Sequence, residues 1–520
     1  MLREYQITNF KPFAGLVSIP TRPITLIFGP NSSGKSSIIQ SLLMLKQTLK
    51  VPDQILVPKD SLVDMGAFGD FIHGHDTTKE FSFRMTFDAP EEIIRFPVSN
   101  YHSGLTEKRE TENLIEIMGK LGTVGLEITF SHTEKSNIII PSIRLFADNG
   151  HQPILSYSKF IGPSDKRIRE EVNTELSQLP LEEDQELKKL FVELIRKAKD
   201  SPEFRKALIL NIKGYHAEVN HDHPLWRTYK GVFREKEVEE DHIISLTGFL
   251  PFHLNGKRLE DITLTDCRLY DMWDETDEED IEAGSISILT LSTANLIRQF
   301  LTDMEYIGPV RMYQKRYFES GEMDEFDLLL DQPHIVNEVN DALAGLGLDY
   351  ILQTPPLYYA DSRKASLFEV QLKSRSTGIT LNIKDVGFGV SQILPVIIKS
   401  ITSKEKTLII DEPESHVHPG LQTRIGDLLI MSSLGPKRNR FIVETHSEHL
   451  ILRLLRRVRE TAEKKLPDGI PGITPDDLAI LYVKPVEGGS VVVPIPVSED
   501  GEFECPWPDG FFEERVEELF

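Results

Sequence analysis

Residues 29–36 read Gly-Pro-Asn-Ser-Ser-Gly-Lys-Ser, and no other run in this 520-residue chain restricts its fold as strongly. The spacing G-x-x-x-x-G-K-[ST] suits a loop that turns backbone N–H groups inward around a polyanion. Gly29 and Gly34 permit that turn. Lys35 carries a point charge to β- and γ-phosphates, and the Ser36 hydroxyl is a ligand for Mg²⁺. The flanks agree. Pro23–Phe28 is an apolar run of strand length, and Ile38, Leu42, Leu45 and Leu49 mark one face of a following helix. Strand, glycine loop and helix together aim a helix N-terminus at phosphate. Gly29, Pro30, Asn31, Ser32, Ser33, Gly34, Lys35, Ser36 and Ser37 are therefore the candidate nucleotide-binding residues.

Such a loop needs a carboxylate for Mg²⁺ and, for hydrolysis, a group that activates water. Thr407-Leu408-Ile409-Ile410-Asp411-Glu412-Pro413 supplies both, as an apolar strand ending in two acids. Asp411 is the expected metal ligand with Ser36, and Glu412 the expected general base. His446 lies thirty-four residues after Glu412, where a second apolar strand, Phe441-Ile442-Val443, runs into Glu444-Thr445-His446-Ser447. His446 is the expected donor to the γ-phosphate. Asp385-Val386-Gly387-Phe388-Gly389-Val390-Ser391-Gln392 opens another helix and reads as a second anion nest. One pocket has little use for two nests, so Gly387, Gly389, Ser391 and Gln392 are expected to meet the nucleotide of a second copy in a symmetric dimer.

Composition sets outer bounds. Apolar residues make up 40% and charged residues 27%, ordinary for a soluble globular chain. The two cysteines, Cys267 and Cys505, match no metal or disulfide spacing. No run approaches membrane-spanning length, and Met1–Tyr5 lacks the apolar core of a signal peptide, which predicts a cytoplasmic protein with no membrane partner. A net charge of −24 argues against nucleic-acid binding by the whole surface, while leaving room for a local basic groove. Within Asp271–Glu282 eight of twelve residues are acidic, read as a solvated loop. Residues 91–285 open with extended stretches at Val124–Phe130 and Ile138–Leu145. A charged helical region follows, roughly 166–214, with an amphipathic segment through Glu183, Leu187, Leu190, Leu194 and Ile195.

Taken in order, Asn9-Phe10-Lys11, GPNSSGKSS, DVGFGVSQILP, IIDEPESHVHP and ETHSEH resemble the ABC-type ATPase superfamily. The resemblance narrows to the soluble branch with RecF, SMC heads and OLD-family ATPases. It narrows further to bacterial AAA family ATPases that carry a short C-terminal domain of unknown function. That domain resembles residues 470–520, including Trp507-Pro508-Asp509-Gly510-Phe511-Phe512. The resemblance implies an α/β fold: an ABC-type P-loop ATPase head with an inserted α+β region and a small C-terminal appendage. The implied organisation is 1–90 and 286–469 for the head, 91–285 for the insertion and 470–520 for the appendage. It further implies ATP and Mg²⁺ sandwiched between two heads, hence a homodimer or higher homo-oligomer that ATP closes and hydrolysis opens. A separate effector partner, a nuclease or toxin, in anti-phage defence is implied for the role. Alternatives are a RecF-like DNA repair ATPase that binds DNA directly, and a slow-turnover scaffold.

The chain departs from that pattern in places. The serine of Phe388-Gly389-Val390-Ser391-Gln392 is displaced, and the glutamine that the family places near Mg²⁺ has only poor candidates in Gln40 and Gln47. Val486-Glu487-Gly488 resembles the first acidic strand of a Toprim nuclease, but no Asp-x-Asp follows, so nuclease activity is not expected in this chain. The pairs His73/His75, His221/His223 and His416/His418 read as incidental for lack of a third ligand. Glu414 is expected to shape the contact between copies. Arg453, Arg456, Arg457 and Arg459, opposite the Leu450/Leu454/Val458 stripe, read as an ion-paired face, with nucleic acid as the alternative. Arg311 sits in a family-like segment without an assigned mechanism.

Overall fold

The computed structural model describes residues 1–51, 54–89, 122–132, 138–147, 152–158, 216–219, 244–247, 250–254, 257–258, 280–309, 315–319, 326, 329, 332–358 and 364–508. The charged region 166–214, Cys267, Asp271–Glu279, His221, His223, Arg311 and Asp509–Phe512 lie outside the described residues. The chain divides into two compact units, Met1–Phe10 with Leu43–Gln299, and Lys11–Leu42 with Phe300–Phe520.

In the first unit an antiparallel ladder runs through Leu2–Thr8, Phe81–Asp88, Thr123–His132, Ile138–Ala147, Leu155–Ser158 and His216–Val219, each paired with the next. The period-two pattern of Phe81, Phe83, Met85 and Phe87 sends these four side chains into the core. Phe81 stacks on Phe130 with centroids 5.0 Å apart, and Phe10, Phe68 and Phe71 close around Phe81. The extended stretches expected near 124 and 138 are two of these strands. The expected boundary at residue 90 falls between Phe81–Asp88 and Thr123–His132, which pair as direct neighbours. The strand ladder, a property of pairing across a long connection, joins what the motif map separates.

The second unit holds a six-stranded mixed sheet. Its strands in chain order are β1 (Ile24–Phe28), β2 (Met304–Ile307), β3 (Thr407–Asp411), β4 (Arg440–Glu444), β5 (Leu478–Val486) and β6 (Gly489–Ile495). Across the sheet the order is β2-β3-β4-β1-β5-β6. All neighbours are parallel except the β5–β6 hairpin. β1 and β3 are buried at every position, as a parallel strand covered on both faces must be, which is why both read as unbroken apolar runs. Helix α1 (Lys35–Thr48) begins in this unit, and α2 (Phe388–Thr402), α3 (Pro419–Leu434) and α4 (Glu448–Ala462) lie within it. The C-terminal region is hydrogen-bonded into this sheet. Residues Leu478–Tyr482 of β5 pair with Ile24–Phe28 of β1, and Trp507 meets Phe28 edge-on. Parallel order brings the carboxyl ends of β1, β3 and β4 to one edge, where open α/β sheets bind ligands.

Candidate nucleotide site

At that edge β1 gives way to the glycine loop. Gly29 has φ +146°, and a Cβ there would stand 2.5 Å from the Val483 carbonyl oxygen of β5. Gly34 has φ +108°, and a Cβ there would overlap the Pro12 ring. Both positions exclude side chains by dihedral and by space. Lys35 opens α1 almost fully buried, and its ammonium donates to the Gly29 and Pro30 carbonyls at 3.0 and 2.9 Å. Burial holds this ammonium below its usual pKa, while Glu444, Glu412, Asp411 and Glu414 pull it back up.

The acids arrive from two neighbouring strand ends. Asp411 ends β3 directly opposite Glu444, which ends β4. Asp411 is buried, and the Tyr306 hydroxyl from β2 donates to its Oδ2 at 3.3 Å. The Ser36 hydroxyl donates to Glu444 Oε1 at 3.0 Å, and Lys35 Nζ lies 3.9 Å from the same oxygen. Burial, then the adjacent Asp411 carboxylate, pushes the Glu444 carboxyl up to about 8, against the pull of Ser36 and Lys35.

Glu412 differs from both in being reachable by water. Its side chain is 37% exposed, its backbone takes φ +44°, and its Oε2 accepts from Ser415 Oγ at 2.7 Å. A non-glycine residue held in the left-handed region costs on the order of 1 kcal/mol or more and is typical of functional turns. His446 Nε2 lies 4.0 Å from Glu412 Oε1. Burial, then Lys35, holds the imidazole below its usual pKa, with Glu412 opposing. His446 is therefore neutral near pH 7 and carries a single ring N–H. Glu412, Glu444 and His446 place ligand atoms within 4.8 Å of one another.

Glu414 is held inside its own chain. It is 8% exposed, and its Oε1 accepts from the His446 backbone N–H, so it braces the loop after β3 to the loop after β4 within one chain. Burial pushes its carboxyl up to about 7. Ser391 and Gln392 are also buried, and the Ser391 hydroxyl is spent on the Phe388 carbonyl at 2.8 Å. Gly387, ahead of α2, and Phe388 are the exposed part of that segment, while Gly389 packs beside the His416 carbonyl. Gln40 accepts from Lys11 at 2.8 Å, and Gln47 is buried against Val57 and Val63. His418 caps α3 through Gly420, His416 packs edge-on to Phe388, and His75 contacts the Gly69 carbonyl. Arg453 and Arg457 pair with Asp427, Arg456 with Glu460, and Arg459 with the Asp500 carbonyl, which leaves the arginine face of α4 ion-paired.

The sequence reading passed over Glu444 and Tyr306. Glu444 carried a usable signal, because Phe441–Glu444 is an apolar strand ending in an acid, the same pattern as Leu408–Asp411. The buried oxygen-donor set of Ser36, Asp411 and Glu444 suits a hard cation such as Mg²⁺. Glu444 Oε2, which no N–H or hydroxyl donor reaches among the described residues, fits the same conclusion.

The chain belongs to the family described as AAA ATPase domain, whose model matches residues 1–451. By that membership it is an ATP hydrolase. A second family model, described as a protein of unknown function (DUF3696), matches residues 473–520. No curated protein matches the chain. Among solved structures it overlaps the Smc head domain of Pyrococcus furiosus bound to the C-terminal domain of ScpA. That overlap has 13% identity and TM-score 0.39, over 100% of this chain and 98% of the other. It overlaps the SMC head domain of Thermotoga maritima at 10% identity and TM-score 0.35, over 95% and 99%. Among the described residues no helix is long and apolar enough to cross a membrane.

Proposed function

We propose that this chain is a Mg²⁺-dependent ATPase that works as an ATP-gated dimeric switch and controls a separate effector, a nuclease or toxin, in anti-phage defence. One observation carries the ATPase site: the glycine loop, Asp411, Glu412, Glu444 and His446 converge on one sheet edge from three parallel strand ends. The dimeric switch and the defence role rest on the motif resemblance.

The chemistry follows from exposure. Lys35 exchanges the Gly29 and Pro30 carbonyls for phosphate oxygens when ATP enters. Ser36 and Asp411 would hold Mg²⁺, which would supply positive charge against the phosphate oxygens. Buried Asp411 is unsuited to meet bulk water, whereas Glu412 is exposed and oriented by Ser415, so Glu412 takes the proton of the attacking water. Neutral His446 donates its N–H to the γ-phosphate and couples its presence to the Glu412 turn. A second copy contributes Gly387 and the first-turn N–H groups of α2. The buried side chains of Ser391 and Gln392 support that turn from behind.

Light scattering with an ATPase assay, on wild type and Glu412→Gln, tests this. ATP with Mg²⁺ is expected to double the mass, and the variant to hold the dimer with turnover at least about 100-fold slower. Equal turnover removes Glu412 from the base role, and an assembly indifferent to ATP points to a scaffold. For the role, phage challenge of cells carrying the chain with its gene neighbours is expected to show protection that Lys35→Ala abolishes.

A further inference from the structure

We propose that Glu444 is a cation ligand of this site beside Ser36 and Asp411, so that the chain presents two carboxylates to the Mg²⁺ that accompanies ATP. The inference rests on the ATPase reading above and adds a residue to it.

Three observations carry it. The register of β3 and β4 sets Asp411 opposite Glu444, so the two acids share the edge that faces the glycine loop. The Ser36 hydroxyl and Glu444 Oε1 are 3.0 Å apart. Around an octahedral Mg²⁺ with oxygen distances of about 2.1 Å, adjacent ligands are separated by about 3.0 Å. These two oxygens already have the spacing of one edge of such a shell. Finally, the Glu444 side chain is 3% exposed, and among the described residues no N–H or hydroxyl donor reaches its Oε2. A buried carboxylate oxygen without a donor is unfavourable, and a second carboxylate beside it adds repulsion. The Lys35 ammonium is 3.9 Å from the other oxygen, Oε1, and engaged with two loop carbonyls. A divalent cation between the strand ends relieves both penalties at once. Glu412, further out and exposed, remains available to water.

The test uses the full chain, Mn²⁺ as a spectroscopically visible probe, and the slowly hydrolysed analogue AMP-PNP. Free Mn²⁺ is followed by electron paramagnetic resonance, and AMP-PNP affinity is measured separately in EDTA. Glu444→Gln is expected to weaken Mn²⁺ at least ten-fold in the presence of AMP-PNP, while metal-free nucleotide affinity stays within two-fold. Unchanged Mn²⁺ affinity overturns the proposal. So does an equal loss of Mn²⁺ and metal-free nucleotide, which assigns Glu444 to supporting the loop. Should the Gln variant be recovered unfolded, Glu444→Asp decides, since it keeps the charge and shortens the reach. Weaker Mn²⁺ with unaltered metal-free binding is then expected, and unaltered Mn²⁺ overturns the proposal. A wild-type chain that binds neither probe sinks the ATPase reading itself, an outcome distinct from all of these.

Discussion

Replacing Glu414 by glutamine isolates the electrostatic character of the brace between the loops that follow β3 and β4. The carboxyl is buried, and its pKa is raised from 4.5 to about 7. Between those values the folded chain keeps a proton that the unfolded chain has lost. Stability contributed by this group is therefore present at low pH and falls as pH rises toward 7. Integrating the linkage from pH 5 to pH 8.5 gives a loss of about 2.5 kcal/mol. Glutamine keeps an oxygen to accept the His446 N–H and has no charge to bury. The variant should thus gain on wild type by about 2.5 kcal/mol over that interval. Urea unfolding of both proteins at pH 5 and pH 8.5, followed by tryptophan fluorescence, measures this. Groups such as Glu444 titrate in both proteins and cancel in the difference. A gap between variant and wild type that is the same at both pH values, or shrinks as pH rises, refutes the argument. In that case the Glu414 carboxylate is solvated or paired in a way the burial does not express.

Other substitutions test separate parts of the site. Glu414→Ala leaves the His446 N–H unpaired and should destabilise by about 1–3 kcal/mol at pH 5, read from the same urea curves. Gly34→Ala should abolish nucleotide binding by calorimetry, since the new Cβ meets Pro12 at a φ that alanine avoids. On α4, Arg457 is buried between Asp427 and Glu460 and Arg456 is 62% exposed. Arg457→Ala should therefore cost about 3 kcal/mol or more in stability and Arg456→Ala less than about 1. Salt-sensitive DNA affinity that falls equally in both, without loss of stability, would restore the nucleic-acid reading of this helix.

What could be read in advance depended on whether the chemistry was contiguous. The glycine loop, Asp411 with Glu412, and His446 each sit in a short run whose residue types announce the task, and the runs on either side of the loop do form strand β1 and helix α1. The limits of the units were less visible. Phe81–Asp88 and Thr123–His132 are neighbours in one sheet although a long connection divides them. Likewise β5 completes the central sheet from residues that resemble a separate C-terminal domain. Strand pairing depends on backbone partners, and no local pattern names them. Arg453 and Arg457 of α4 show the same limit, because Asp427 lies on α3 and only the packing of the two helices makes it their partner.

Glu444 brings the two kinds of information together. As a residue it is one acid at the end of one apolar strand, and such acids are usually solvated. Its meaning comes from register: β4 lies beside β3 in parallel, so the last residue of each strand falls level with the other, and Glu444 falls level with Ile27 of β1, two residues before the glycine loop. A slip of one residue would send the Glu444 side chain to the opposite face of the sheet, away from Ser36. The pleat thus selects Glu444 and excludes Val443, and it does so through the same apolar burial that makes β4 a central strand. The buried β1, β3 and β4 core is what sets Asp411 opposite Glu444 and keeps the Ser36 hydroxyl 3.0 Å from Glu444 Oε1. A core substitution that loosens the sheet without unfolding it, such as Val443→Ala at a fully buried position, should accordingly weaken Mn²⁺ binding before it weakens metal-free nucleotide binding. The same paired titrations check this, and equal weakening of both would show that the strand supports the glycine loop more than the acid pair.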